Sequence, residues 1–267
     1  MHDILVTHHE RPVLKDPVLI EGLPGVGNVG KLAAEHLVDE LKARKFLTIQ
    51  SKFLPPQVLV GDTGVLRLVS NDMYYVKGGG KGQGDRGKGQ GTGEKGSDLV
   101  FIVGDYQAIT PEGQYELAFR SLELVSKYKV RRIYTLGGYG VGRIIEKPRV
   151  LGAATDEALV EEMKARGVIF SKGEPGSGII GASGLLLGLA SRWKIPGVCL
   201  MGETSGYFVD PKSARCVLEV LTGLLGVSIN YTALEQKAQQ IEKLTAQFKE
   251  AEKAIADSRA EDLRYIG

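Results

Sequence analysis

Four stretches of this sequence combine residue types at spacings that could do chemistry. In "EGLPGVGNVG" (Glu21 to Gly30), Gly25-x-Gly27-x-x-Gly30 has the glycine spacing of a dinucleotide-binding turn. Such a turn lets the backbone close on a pyrophosphate, which then meets the N-terminus of the following helix. Asp105 after "FIVG", and Glu203 and Thr204 after "CLMG", stand where a parallel α/β sheet places ligand groups, and paired acids there could transfer protons. Gly181-Ala182-Ser183-Gly184 sets a serine at the start of an expected helix, as a hydrolase nucleophile elbow does.

Each arrangement lacks a second part that its chemistry needs. A dinucleotide turn wants a carboxylate about 20 residues past its last glycine, to hold the ribose hydroxyls. Here that place reads Thr48-Ile49-Gln50-Ser51, and Pro24 stands directly before the first glycine. Gly30-Lys31 is followed by Leu32, so it is not a phosphate loop of the Gly-Lys-Ser/Thr kind. The elbow needs glycine two residues past its serine, where this chain has Leu185. Thr204, Ser205 and Tyr207 offer the acids no activated nucleophile, and Asp210-Pro211 reads as a helix cap with a first-turn proline. His2, His8, His9 and His36 show no metal-ligand spacing, so neither a metal nor a cofactor is expected. Gly25, Gly27, Asn28, Gly30, Asp105, Glu203 and Thr204 therefore form either a ligand corner or a structural turn.

The elements that would position these residues follow a repeating order. "PVLIEG" (Pro17 to Gly22) reads as a buried strand, and "KLAAEHLVDEL" (Lys31 to Leu41) follows it with apolar residues at helical spacing. The pattern recurs with strand Asp98 to Asp105, helix Pro111 to Tyr128 and strand Arg131 to Gly138, and helices Asp156 to Gly167 and Gly181 to Trp193 then precede strand Gly197 to Glu203. Alternation of this kind predicts an α/β fold, a mostly parallel sheet with helices on both faces. Phe46 to Val76 carries several strand-like runs and no helical one, which predicts an antiparallel portion.

Composition narrows the function classes. Of 267 residues, 34 are Lys or Arg and 32 Asp or Glu, a net charge of +2 too small for a general nucleic-acid or membrane binder. Cys199 and Cys216 sit in apolar runs and read as free thiols of a reducing compartment. The N-terminal residues lack a secretory pattern and no run of 18 apolar residues occurs, so a cytoplasmic location is expected. Residues 77–97 hold ten glycines and no aliphatic or aromatic side chain, which predicts a flexible loop without the aromatics that stack on RNA bases. Leu234, Ile241, Phe248 and Ile255 recur every seven residues, predicting a long coiled-coil-like helix over 231–262 after a domain of residues 1–230. Its narrow seam suits either the domain body or a neighbouring subunit, and the subunit contact is favoured.

Five short motifs, "EGLPGVGNVG", "FIVGDYQ" with "PEGQYELA", "YTLGGYGVG", "GIIGASGLLLGLA" and "IPGVCLMGETSGYFVDPKSARCVLEVLTGLLG", cover roughly residues 17–226 in one order. Together they resemble the proteasome assembly chaperone family, in particular its second chaperone type and the archaeal relatives of that type. The resemblance implies a three-layer α/β/α sandwich of the phosphorylase/hydrolase-like kind that works by binding rather than catalysis. It also implies association with itself and with proteasome α-subunits, to assist ring assembly or to cap the finished ring. Members dock through a C-terminal hydrophobic-tyrosine-any-residue tail, which points to Leu263, Tyr265, Ile266 and Gly267, although Tyr265 is third from the end where that pattern has it second. The alternative expectation is an enzyme acting on a nucleoside or other small phosphate-bearing substrate at the Gly25–Gly30 turn.

Overall fold

A computed structural model describes residues 3–78, 96–170 and 178–241. In chain order its first half comprises strands β1 (Ile4–His8) and β2 (Val18–Gly22), helix α1 (Val29–Glu40), and strands β3 (Arg44–Ser51), β4 (Val58–Val60), β5 (Leu66–Leu68), β6 (Asn71–Val76) and β7 (Leu99–Gly104). Helix α2 (Pro111–Ser126), strands β8 (Arg132–Gly140) and β9 (Val150–Ala154), helices α3 (Glu157–Lys164) and α4 (Ala182–Ala190), strand β10 (Gly197–Thr204) and helix α5 (Pro211–Leu225) follow.

Eight strands form one mixed sheet in the order β1-β3-β6-β7-β2-β8-β10-β9, while β4 and β5 make a separate hairpin. The centre is parallel, β2 pairing β7 and β8, and β8 pairing β10; the outer strands are antiparallel. Parallel strands are covered on both faces, which is why "VLI" and "LVFIV" are apolar at every position rather than alternating. On one face Val18 and Ile20 meet Ala33, Leu37, Val217 and Leu221 of α1 and α5. On the other, Leu19 and Ile133 meet Leu122, Val125 and Leu186 of α2 and α4. The three-layer α/β/α expectation therefore holds.

Helix starts follow the caps legible in the chain. Thr110 accepts from Gly113 N and Asp210 from Ser213 N, each with proline in the first turn, and Gly226 closes α5 in the left-handed conformation. The residues between β6 and β7 are anchored where described: Gly78 N donates to Asp98 Oδ1 at 2.8 Å. Most of the glycine-rich 77–97 stretch lies outside the described residues.

Two strands had no sequence expectation. β1 is a short edge strand with mostly exposed side chains, and β9 ("VLGAA") is poor in strand-forming residues. At β9, a Cβ on Gly152 would stand 2.6 Å from Val168 Cγ1 and 2.7 Å from Phe170 Cζ, so glycine is what admits the crossing segment. The C-terminal helix begins at 232 and is described to 241. Its first seam residue, Leu234, is buried in the α1–α5 core, and Tyr231 stacks on His36 at 6.3 Å. The favoured subunit role for the seam does not extend to this residue, because the domain itself covers it.

Helix α1 lies unusually close to the sheet. A Cβ on Gly30 would fall 2.0 Å from the Leu136 carbonyl oxygen of β8, and one on Gly22 would fall 2.4 Å from Ala34 Cβ. Gly223, exposed on α5, has no atom within 4 Å of such a Cβ. Gly30→Ala is thus expected to cost at least about 2 kcal/mol, and Gly223→Ala to add about 0.5–1 kcal/mol by stiffening the unfolded chain. Urea titration of the two variants checks both signs.

Candidate functional site

The glycine turn leaves β2 along extended backbone at Gly25, passes through left-handed Gly27 (φ 61°) and Asn28 (φ 50°), and enters α1 at Val29. Asn28 N donates to Gly25 O at 2.9 Å, and Asp210 N donates to Gly27 O at 2.8 Å. The ends of β8 and β10 fill the space around the turn. A Cβ on Gly138 would stand 2.2 Å from the Val26 carbonyl oxygen, and one on Gly27 would stand 2.8 Å from Thr204 Oγ1. β3, which would supply the ribose carboxylate in a dinucleotide fold, is separated from β2 by β6 and β7 and runs antiparallel to β6.

The carboxylates at the strand ends are each held by an arginine. Arg67 of β5 grips Asp105 at 2.6 and 2.8 Å, and Ser70 N adds a third bond at 2.9 Å. Burial works against the charge on Asp105, yet Arg67 and the Ser70 amide hold its pKa below the usual range. Arg149 binds Glu203 through Nε at 2.8 Å, Nη2 at 2.5 Å and its own backbone N at 3.1 Å. Those Arg149 bonds outweigh burial and lower the Glu203 pKa as well. Thr204 is fully buried and accepts from Gly206 N at 3.4 Å. Ion-paired acids with lowered pKa values are poor general acids or bases at neutral pH. A cleft of about 360 Å³ between α1 and β6 is lined by Lys45, Arg67, Asp72, Tyr74 and Asp105, and its cations are paired too, Lys45 with Asp72 at 2.5 Å.

Around these positions the rim is apolar and open to solvent. Val26, Tyr139, Tyr207, Phe208 and Val209 are all exposed, Tyr207 to 72%. They adjoin through glycines: a Cβ on Gly140 would be 3.3 Å and one on Gly206 3.5 Å from Val26 Cγ1, and one on Gly142 would be 3.9 Å from the Tyr207 hydroxyl. Such a rim is an open apolar patch rather than an enclosure. Among the described residues, no three His, Cys, Asp or Glu side chains gather in a group that could hold a metal ion. No helix there is long and apolar enough to cross a membrane. Leu263, Tyr265, Ile266 and Gly267 lie outside the described residues.

Sequence reading missed the polar residues inside the sandwich. Gln107 bridges the glycine turn to α4, its Nε2 donating to Pro24 O at 2.7 Å and its Oε1 accepting from Ala182 N at 3.0 Å. Glu21, Thr135 and Cys199 face one another in register across β2, β8 and β10. Leu23 N and Ser183 Oγ each donate to Glu21 at 2.9 Å. Burial pushes the Cys199 thiol up to about 12 and the Glu21 carboxyl up to about 7, against the two bonds that favour its charge. A hydroxyl beside a carboxyl is nucleophile-and-base geometry. Glu21 has no solvent exposure, however.

Glu21 instead makes stability depend on pH. Its unfolded pKa is 4.5 and its folded pKa about 7, so over that window the folded chain keeps a proton that the unfolded chain releases. The stabilisation is whole below pH 4.5 and is lost as pH rises through about 7, amounting to about 3 kcal/mol. Glu21→Gln carries no charge and can hold both partners, its Oε1 accepting from Leu23 N and its Nε2 donating to Ser183 Oγ, which reverses the second bond. Urea unfolding is expected to place the variant about 3 kcal/mol above the parent near pH 8 and level with it near pH 4.5.

With this geometry in place, the likenesses to other proteins are informative. Residues 19–249 match the PAC2 family. An uncharacterised protein of Methanocaldococcus jannaschii is 38% identical over 260 residues, 95% of this chain and 93% of its own length. Pyrococcus furiosus PbaB, an archaeal proteasome activator, has a crystal structure that matches at TM-score 0.81 and 38% identity, covering 93% of this chain and all of that one. Pyrococcus furiosus PbaA, an archaeal homologue of proteasome-assembly chaperone, matches at TM-score 0.73 and 26% identity, covering 98% of this chain and 97% of its own. These likenesses run through all five sequence motifs: the chain belongs to the PAC2 family, as the resemblance to proteasome assembly chaperones implied.

Proposed function

We propose that this protein is a non-catalytic, self-associating chaperone or cap of the proteasome core, binding the α-subunits of its end ring in the cytoplasm. The observation that carries the reading is the form of the strand ends. Where an α/β enzyme keeps its cleft, Val26, Gly27, Gly138 and Thr204 pack together, both acids are paired to arginines, and aromatic side chains face solvent. The similarity to PbaB and PbaA over nearly the full chain supports the same reading.

Binding then follows from two elements. Tyr207, Phe208 and Val26 supply rigid apolar anchors whose burial costs little side-chain entropy. The second is the C-terminal tail, whose Leu263, Tyr265, Ile266 and Gly267 meet the groove between neighbouring α-subunits. An assembly presenting several tails to one ring gains avidity from weak single contacts. Gly25, Gly27, Asn28 and Gly30 serve as the turn that seats Val26 at the rim, with no ligand of their own.

Co-sedimentation with isolated α-rings tests the proposal. The intact chain is expected to travel with the rings, removal of residues 263–267 to weaken binding at least about tenfold through lost avidity, and Tyr207→Ala to weaken it similarly without lowering the melting temperature. An intact, folded chain that stays in the supernatant would sink the reading.

A further inference from the structure

The chain that leaves α5 is not a free linker. Val227, Ile229 and Tyr231 alternate with the exposed Ser228 and Asn230, so this stretch lays one side on the α1–α5 core. The C-terminal helix then buries Leu234 and partly buries Glu235, Ala238 and Ile241, which share one helical face. The joint between the two pieces is pinned by side chains of both covering helices. Asn230 N donates to Glu40 Oε2 at 3.0 Å, His36 Nε2 donates to Asn230 O at 2.7 Å, and Thr232 N donates to Asn230 Oδ1 at 2.8 Å. Tyr231 stacks on His36, and its hydroxyl lies 2.9 Å from Thr222 Oγ1. The Arg215 guanidinium stands 5.5 Å from the centre of the Tyr231 ring and pairs with Glu235 at 2.5 Å.

The order of these contacts gives the C-terminal helix a direction. Asn230 meets Glu40, the last residue of α1, and Tyr231 meets His36, one turn earlier. On α5, Tyr231 meets Thr222, and Glu235 meets Arg215, two turns nearer the start of that helix. The C-terminal helix therefore runs back along α1 and α5, and both of those begin at the strand-end rim, one after the glycine turn and the other after Val209. We propose that the rim and the C-terminal segment form one binding face. The joint at Tyr231 turns the chain towards the rim's end of the molecule, and His36, Thr222 and Arg215 are positioning residues for the tail. This deepens the function proposed above and rests on its reading of rim and tail as two contacts with one partner. A loose joint would spread the tail over a large volume. A held one raises the tail's effective concentration at the partner once the rim has engaged, and lowers the entropic cost of the second contact.

Amide exchange of the full chain, read with co-sedimentation on isolated α-rings, tests the proposal. In the parent, amides of residues 232–241 are expected to exchange at least about tenfold more slowly than in an unstructured chain. Tyr231→Ala should remove that protection while the amides of β2 and β8 keep theirs. The same variant should weaken ring binding of the full chain at least about fivefold and leave binding by a chain already lacking residues 263–267 unchanged. A merely structural role would move both chains alike. Arg215→Ala, which alters an exposed side chain, should repeat this pattern more weakly, so the test survives misfolding of Tyr231→Ala. Tyr231→Phe keeps the ring and should restore most of the binding. A parent that binds rings but has unprotected amides at 232–241, loses binding equally in both chains, or loses none once protection is gone overturns this proposal alone. A parent that binds no ring overturns the function proposed above and this inference with it.

Discussion

Backbone packed directly on backbone, where β2 turns into α1 against β8, is the constraint on which the rest of the molecule depends. Gly30 lies so close to the Leu136 carbonyl, and Gly138 to the Val26 carbonyl, that a single methyl group at either would overlap an oxygen, at 2.0 and 2.2 Å. A helix that close brings Ala33, Ala34 and Leu37 onto the parallel strands without a gap. It also draws the turn into the end of the sheet, where Thr204 and the backbone of Phe208 close around Gly27. The same glycine spacing that elsewhere opens a phosphate cradle here closes one.

That closure accounts for the electrostatics of the strand ends. A carboxylate near filled, low-dielectric packing must be paired or neutral. Asp105 and Glu203, at the rim, reach arginines from β5 and from the segment before β9 and remain charged. Glu21 is interior, has only an amide and a hydroxyl, and is held towards its neutral form. Three acids near one sheet edge thus have three fates set by access to a cation, and none is left as an available base with room for a substrate. Tyr139, Tyr207 and Phe208 stand outside the same packing, exposed to solvent.

Most of the framework was legible because it rests on local signals. Apolar runs marked the parallel strands, Thr110-Pro111 and Asp210-Pro211 marked helix starts, and ordered glycine motifs marked the family. β1 and β9 were not legible, since an edge strand needs only one neighbour and β9 draws its pairing from β10 rather than from its own Gly and Ala. The glycine spacing was visible but its cause was not, because that cause is a carbonyl oxygen on β8, more than 100 residues away in sequence. Glu21 looked like the end of an apolar strand; its partner Ser183 is 162 residues distant. Both acid–arginine pairs were invisible for the same reason.

The interior and the surface of this chain therefore answer to different demands. Inside, polar groups are buried in register and largely bonded to one another, which fixes a single packing and leaves little space for a ligand. Outside, apolar side chains remain uncovered at the strand-end rim and at the β4–β5 hairpin, among other exposed positions. Each of these two patches is tied to the core, by Gly27 and Asp210 at the rim and by Leu59 and Arg67 at the hairpin. Apolar surface held on ordered backbone needs no further ordering before it meets another surface, which lowers the entropic cost of any contact it makes.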